Sequence, residues 1–313
     1  MSDLFSAVLP VFLLILLGAL CRLLAPRTAA WEHGLNQYGM YIAFPALIIN
    51  GLLKVRGELA IDSEIYLLNT AILLLLMAIP YVITRWLKTE ASLANTYIIC
   101  IFFGNIGYLG FPVITRLLGA DSVNFPPAML ETSLALHLSL YNILLFTLGL
   151  FILEHTRGKN GFKEIGRAVG TNPLLLSVVA GVVIALGNIP LPGAVEEMVS
   201  LVSQSATAVV LFALGIFLPD VRFERRTLGH VLALTFIGLV IVPLVFIAGG
   251  AIFEPQKEFH ISILEGAMPL AVTPFVLAAV YPLKRALIAG AILVSTACSV
   301  FTVPLVLHLI SGQ

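Results

Sequence analysis

Long apolar stretches, separated by short polar or glycine- and proline-rich connections, run through the whole chain. A helix needs about 20 predominantly apolar residues to cross a bilayer. On this length the pattern predicts ten spans, at Leu4 to Leu24, Leu35 to Leu53, Ile65 to Leu87, Leu93 to Leu118, Pro126 to Leu153, Pro173 to Gly187, Ala194 to Leu218, Leu228 to Phe253, Phe259 to Pro282 and Arg285 to Ile310. The connections are short, so no soluble domain is expected between them.

The composition supports an all-α integral membrane protein. Of the 313 residues, 59% are hydrophobic and 11% are charged, whereas soluble domains contain about 25% charged residues. The formal net charge is zero and no long basic run occurs, so we expect no nucleic-acid partner. The three cysteines, Cys21, Cys100 and Cys298, are far apart inside apolar runs, which predicts neither a disulfide nor a metal site. We expect no cofactor.

The lysines and arginines are distributed unequally between alternate connections. Thirteen fall on one predicted side, Arg22, Arg27, Arg85, Lys88, Arg157, Lys159, Lys163, Arg167, Arg222, Arg225, Arg226, Lys284 and Arg285, and four on the other, Lys54, Arg56, Arg116 and Lys257. Basic connections stay on the cytoplasmic side of a membrane. With an even number of spans, both termini are therefore predicted to be extracytoplasmic, and we expect a bacterial inner (plasma) membrane protein.

The fourth predicted span contains a sequence that should interrupt its helix. Gly104 to Pro112 reads Gly-Asn-Ile-Gly-Tyr-Leu-Gly-Phe-Pro, and three glycines followed by a proline favour a departure from helical geometry. Backbone groups freed at membrane depth find no water, so such a break is tolerated only against protein or an aqueous cavity. The sequence predicts a broken helix that faces a binding site.

A second interruption occurs at the corresponding place in the other half of the chain. Leu264 to Pro269, with Thr273 and Pro274, interrupts the ninth predicted span. The polar connection at residues 156–171 divides the chain into a first five-helix repeat, 1–155, and a second, 172–313. With five spans in each half, the repeats must have inverted orientations. Inverted repeats with broken, crossing fourth and ninth helices indicate a secondary transporter with its binding site at the breaks.

Several stretches carry a resemblance to a known family. They are Phe44 to Leu47, Gly104 to Pro112, Asn142 to Gly149, Asn172-Pro173, Leu211 to Gly215, Met268-Pro269 and Ser295-Thr296. In these stretches the chain resembles the auxin efflux carrier family in its short prokaryotic form. The resemblance implies a fold similar to that of the bile acid/sodium symporters, in which helices 1, 2, 6 and 7 form a scaffold and helices 3–5 and 8–10 a core transport domain. It also implies a homodimer, and an organic anion such as an auxin-like or malonate-like carboxylate at the crossing.

The residues expected to bind this anion lie mainly at the two breaks. A helix that resumes after a break presents unpaired N–H groups and the positive end of its dipole, which favour an anion. The candidates are Asn105, Gly107, Tyr108, Pro112, Asn142, Met268, Pro269, Thr273 and Pro274. The amide of Asn105 can donate to a carboxylate. The alternative is that Asn105 only caps the broken helix.

Glu265 is the main candidate for coupling to an ion, because an intramembrane carboxylate is costly unless it is paired or solvated. It could carry a proton or help to bind sodium, or it could be a helix-end carboxylate reached by external water. The other coupling candidates are His137, Glu131, Ser295 and Thr296. Ser133, His137 and Tyr141 recur every four residues and share one helix face, with Glu131 and Asn142 on another.

These patterns predict a secondary active transporter that moves a small organic anion by alternating access. The alternatives are a sodium-coupled organic-anion symporter of the bile-acid type and a membrane sensor that keeps the fold without transport. An enzyme is not expected, because the sequence has no His-Glu-x-x-His metal site and no recognisable nucleophile with its base. The expected partners are the anion, a proton or sodium ion, the lipid bilayer and a second subunit.

Overall fold

The chain folds as a bundle of helices in the computed structural model, which describes residues 2–54, 56, 63–118, 127–156, 170–220, 225–252 and 259–311. In these ranges the α-helices are α1 (Ser2–Leu24), α2 (Ala29–Tyr38), α3 (Phe44–Lys54), α4 (Ser63–Trp86), α5 (Ala91–Phe102), α6 (Phe111–Leu118), α7 (Pro127–Leu144), α8 (Leu150–Thr156), α9 (Pro173–Leu186), α10 (Gly193–Phe217), α11 (Arg225–Phe236), α12 (Val242–Ile252), α13 (Phe259–Gly266), α14 (Thr273–Leu277) and α15 (Arg285–Ser311).

Short π-helical turns connect several of these helices into longer helical segments. They lie at Gly39–Ala43, Ile106–Gly110, Leu145–Gly149 and Ile237–Ile241. Pro45 and Pro243 each follow such a turn at the second residue of the next helix. Because proline donates no backbone hydrogen bond and its ring crowds the preceding turn, the helix widens ahead of it.

Four helical segments in the described ranges are long and apolar enough to cross a membrane, at Glu64–Trp86, Gly193–Asp220, Arg225–Ala251 and Arg285–Ile310. Shorter apolar helices occur at Leu9–Leu24, Ala91–Phe102, Leu140–Thr156 and Pro173–Leu186. Large apolar side chains such as Leu67, Leu201 and Phe301 are 69%, 63% and 72% exposed, as expected of surfaces that face lipid. The all-helical membrane class is confirmed, while the count of ten spans and the inverted repeat stay predictions.

The closest helix packing joins α1 to α10 through two glycines. A Cβ atom added to Gly18 would lie 2.2 Å from the carbonyl oxygen of Phe212, and one added to Gly215 would lie 2.1 Å from that of Ile15. Only glycine permits this approach, and small residues are typical of helix contacts in membranes. In the same body α3 packs on α9 and α10, and Gly181 accommodates the Leu52 side chain.

The remaining helices surround the two interrupted segments. α4 packs on α5, α11 on α15, and α13 on α12 and α7. Gly266, at the end of α13, lies under the Phe246 ring, where an added Cβ would be 2.5 Å from the Cδ2 atom. The end of α13 is thereby held at a fixed depth in the bundle.

Candidate functional site

The chain leaves helical geometry at two places, and the two interruptions cross. α5 ends at Phe102, and Phe103 is extended, with φ −102° and ψ 100°. Gly104 pairs with Leu270 as an antiparallel bridge. The Asn105 N–H donates to the Pro269 carbonyl oxygen at 2.7 Å, and the Ala271 N–H donates to the Phe103 carbonyl oxygen at 3.1 Å. Backbone groups released by one break are therefore satisfied by the other, as burial requires.

Glycine allows the two segments to approach this closely. A Cβ atom on Gly104 would lie 3.3 Å from the carbonyl oxygen of Glu265, and one on Gly110 would lie 3.1 Å from Cγ of Met268. After the crossing the first chain resumes through the π-turn Ile106–Gly110. Its first intrahelical hydrogen bonds run from the N–H groups of Leu109 and Gly110 to the Asn105 carbonyl oxygen at 3.2 and 2.9 Å. Gly104 and Gly110 of the fourth-span motif thus have a direct packing role.

Asn105 lies at the crossing with part of its side chain unsatisfied. The residue is 4% exposed, and its Oδ1 atom is buried without a hydrogen-bond partner among the described residues. Leaving a buried acceptor unpaired costs about 1–3 kcal/mol. No N–H group of the described residues donates to this side-chain oxygen, so it does not cap the resuming helix. The Oδ1 atom is therefore available to accept a hydrogen bond from a ligand that carries a donor, such as a protonated carboxyl group.

A narrow cavity adjoins the crossing. Its lining includes Phe103, Gly104, Tyr141, Glu265, Met268 and Ser295. It has room for about one water molecule, so this arrangement cannot accommodate a carboxylate ligand without moving. The Ser295 hydroxyl accepts a hydrogen bond from the Leu270 N–H at 3.1 Å and so fixes the second break against α15.

Glu265 is buried and paired with histidine. Its Oε2 atom lies 2.9 Å from Nδ1 of His137, and the two side chains are 0% and 3% exposed. External water therefore does not reach this carboxylate in the structure, contrary to the third interpretation of the sequence. The Oε1 atom of Glu265 and the hydroxyl of Tyr141 have no hydrogen-bond partner in the described part of the chain. An ionisable pair and unsatisfied oxygens thus lie together beside the crossing.

Sequence reasoning missed three side chains around this pair. Asn69 is completely buried, donates from Nδ2 to the Ser262 hydroxyl at 2.9 Å and lies 3.5 Å from Nε2 of His137. The Tyr66 ring centroid is 5.7 Å from that of His137. A lone asparagine within an apolar span was a signal that could have identified Asn69.

The other predicted residues are distributed around the crossing. Thr296 donates to the Ile292 carbonyl oxygen of its own helix at 2.6 Å. Asn142 is 8% exposed but does not line the cavity. Thr273 and Pro274 begin α14 and are buried. Gly107 and Tyr108 lie in the π-turn Ile106–Gly110, Pro112 near the start of α6 and Glu131 in α7; the side chains of these last residues lie outside the described part of the structure.

Apolar helices that break and cross at a buried polar site define the chain as a membrane protein of the transport class. Sequence comparison identifies the family: the chain belongs to the Mem_trans family, described as membrane transport protein, whose model matches residues 3–169 and 163–307. The resemblance noted in the sequence is thereby confirmed, because relatives in this comparison include plant auxin efflux carriers.

Two prokaryotic relatives match along nearly their whole length. An "Uncharacterized transporter" of Methanothermobacter thermautotrophicus is 26% identical over 96% of this chain and 96% of its own. A "Putative malonate transporter" of Rhizobium meliloti is 25% identical over 99% of this chain and 97% of its own. Auxin efflux carrier component 6 of Arabidopsis thaliana is 28% identical over 38% of this chain and 22% of its own.

Proposed function

We propose that this protein is a secondary active transporter that moves a small organic anion across the membrane by alternating access. The observation that carries the proposal is the antiparallel crossing at Gly104 and Leu270, beside the buried side chain of Asn105. Broken helices that meet near mid-membrane are typical of substrate sites in secondary transporters. The name of the Rhizobium relative supports a malonate-like carboxylate as the substrate class.

In this proposal the anion binds beside Asn105 after the cavity has widened. The Asn105 amide and N–H groups at the starts of the resuming segments supply donors, so no buried lysine or arginine is needed. The narrow cavity corresponds to a closed state. Opening toward one side of the membrane and then the other would expose the same site alternately.

We assign the two moving parts from the helix packing. The body formed by α1, α3, α9 and α10 agrees with a scaffold of helices 1, 2, 6 and 7, and the interrupted helices with their neighbours form the proposed core. Alternating access would then move the core relative to the scaffold. A homodimer joined through the scaffolds is part of the same proposal.

Coupling is assigned to Glu265 and His137. A buried pair that is neutral overall is less costly in a membrane than a lone carboxylate, which favours one bound proton in the closed state. The oxygens Glu265 Oε1 and Asn69 Oδ1 have no hydrogen-bond partner among the described residues. They favour a second possibility, a sodium ion, since hard cations prefer oxygen ligands.

The test combines binding with flux. Purified protein is heated with malonate, indole-3-acetate or a neutral analogue, with and without sodium and at two pH values, because a bound ligand raises the unfolding temperature. An anion that stabilises the wild type should drive saturable uptake into proteoliposomes. Asn105→Leu should reduce the stabilisation. The matched control is Asn50→Leu, which makes the same substitution in α3, where the Asn50 side chain donates to the Ser203 hydroxyl at 3.0 Å. If no carboxylate stabilises the protein and none is taken up, the proposed function is wrong.

A further inference from the structure

A cleft separate from the crossing lies between the end of α4, the start of α5 and the end of α8. Its volume is about 510 Å³, and its lining combines Arg85, Lys88 and His155 with polar and apolar residues. Ligand sites commonly occupy about 300–1,000 Å³. The Lys and Arg bias of the sequence predicts that this end of the bundle faces the cytoplasm.

Among the described residues, no carboxylate neutralises the positive charge in the cleft. No Asp or Glu is among the described residues that line it. The two nearest carboxylates in the sequence are engaged elsewhere: Glu90 pairs with Lys284 at 2.8 Å, and Glu154 accepts a hydrogen bond from the Tyr281 hydroxyl at 3.0 Å. On a neighbouring basic surface the positive charges are neutralised, since Lys284 and Arg285 are both paired with carboxylates.

The backbone places Lys88 in the cleft at a conformational cost. α4 ends in a Schellman motif, in which the Thr89 N–H donates to the Thr84 carbonyl oxygen and the Lys88 N–H to that of Arg85. The residue at this position is usually glycine because it is left-handed, yet here it is lysine, with φ 50°. Strain of this kind points to a use for the side chain.

Arg85 is also held in position. Its guanidinium carbon lies 5.4 Å from the centroid of the Tyr81 ring, and Nη2 donates to the Tyr81 hydroxyl at 3.4 Å. Tyr81 is itself a lining residue of the cleft. The cation is thereby restrained at the wall of the cleft, and no carboxylate lies among the described residues of that wall.

The rim of the cleft continues into an apolar surface. Val82, Ile83 and Trp86 on α4 are 61%, 47% and 80% exposed, and an exposed tryptophan is typical of the membrane–water interface. A phosphate held in the cleft would therefore have room for attached acyl chains along α4. Basic pockets between membrane helices on the cytoplasmic side bind acidic lipid headgroups.

We propose that this cleft binds the phosphate of an anionic phospholipid headgroup, through Arg85 and Lys88 with His155 at its edge. The proposal does not depend on the transported substrate. Free phosphate shares the headgroup chemistry but would not use the exposed apolar surface of α4. Binding of the lipid would join the ends of α4 and α8 through their shared ligand.

The test measures the unfolding temperature of the purified full-length protein in neutral detergent. Phosphatidylglycerol, phosphatidylcholine with the same acyl chains, and inorganic phosphate are titrated separately. Phosphatidylglycerol should raise the unfolding temperature of the wild type more than the other two. Each Lys or Arg near an anionic membrane surface increases the affinity roughly fivefold. The Arg85→Gln/Lys88→Gln variant should therefore require about 30-fold more phosphatidylglycerol to reach the same rise in unfolding temperature.

Two further variants make the result interpretable. Arg27→Gln/Arg225→Gln removes the same charge from exposed positions on the same predicted side and should respond as the wild type does. Lys88→Gly removes one charge while relieving the left-handed strain, so it should fold at least as well and need about fivefold more lipid. Equal stabilisation by phosphatidylcholine or by inorganic phosphate, or an unchanged response in the cleft variants, would overturn the proposal.

Discussion

Nδ1 of His137 lies 2.9 Å from Oε2 of Glu265, in a pair with side chains 3% and 0% exposed. The residues come from α7 and α13, and their contact ties the helix of the second break to the fifth predicted span. Removing one member of a buried ion pair leaves an uncompensated group and typically costs about 3–5 kcal/mol, whereas replacing both by apolar residues can be neutral. This asymmetry provides a test of the pair.

We therefore predict that His137→Leu lowers the free energy of unfolding by about 3–5 kcal/mol, and that His137→Leu/Glu265→Leu recovers most of that loss. The measurement is thermal or denaturant unfolding of both single variants, His137→Leu and Glu265→Leu, and of the double variant in one detergent. If His137→Leu were as stable as the wild type, or if the losses of stability in the two single variants simply added in the double variant, Glu265 would not depend on His137 for its burial.

Glu265→Gln distinguishes the two proposed coupling ions. A neutral amide resembles the protonated carboxyl group, so with proton coupling substrate binding should persist, lose its pH dependence and fail to drive accumulation. With sodium coupling the same change should abolish stabilisation by sodium, because an amide oxygen is a weaker ligand for a hard cation than a carboxylate. Uptake that retains wild-type pH and sodium dependence would exclude Glu265 from coupling and direct attention to Glu131 and His137.

Sequence patterns identified the two helix breaks at the candidate site but not which buried side chains pair with each other there. The break at Gly104 and Gly110 could be recognised from the sequence because glycine and proline determine the conformation of their own local backbone. The partner of Glu265 is 128 positions away, and a lone histidine on an apolar face gives no sign of which helix it will meet. Asn69 was overlooked for the same reason, since its role depends on Ser262, 193 positions away.

The orientation in the membrane is predicted from the thirteen-to-four bias of lysines and arginines. Single cysteines introduced at residues 158–160, which lie outside the described ranges, should react only with reagents that reach the cytoplasm. A tag after Gln313 should be accessible from the opposite side. A cytoplasmic carboxyl terminus would contradict the prediction of ten spans.

Close packing at the crossing predicts that Gly110→Ala impairs transport. The new Cβ would lie 3.1 Å from Cγ of Met268, so the Met268 side chain must give way by a few tenths of an ångström where the two segments meet. Gly51→Ala is the matched control, because no atom lies within 4 Å of its Cβ position, and alanine should stabilise α3 by about 0.5–1 kcal/mol. Uptake should fall in the first variant and not in the second. Equal uptake by both would mean that the crossing tolerates a wider separation.

Arg285 connects the proposed core to the proposed scaffold. At the start of α15, its guanidinium carbon lies 4.5 and 4.4 Å from the ring centroids of Phe217 and Phe275, and its side chain is paired with Glu32 of α2. In the proposed division, Phe217 and Glu32 lie on the scaffold side, since α2 packs on α10, and Phe275 lies on the core side. Movement of the core away from the scaffold at this end must therefore separate the ion pair.

Glu32→Gln should make the closed state less favourable. A partly buried hydrogen bond to a charged group contributes on the order of 1 kcal/mol to stability. Its loss would increase the population of the open state about fivefold. Cys100 reports the opening, because it is 2% exposed and lines the cavity at the crossing. In a background with Cys21 and Cys298 replaced by serine, Glu32→Gln should raise the rate at which Cys100 reacts with a small thiol reagent by about fivefold.

Asp220→Asn is the control for this last experiment, since it removes a carboxylate paired at 3.2 Å with Arg22 entirely within the scaffold side. It makes the same change of charge and should leave the reaction rate of Cys100 unchanged, because no contact between the two bodies is lost. Equal acceleration by both variants would indicate general loosening of the fold, and no acceleration by Glu32→Gln would mean that the Arg285 pair does not hold the closed state.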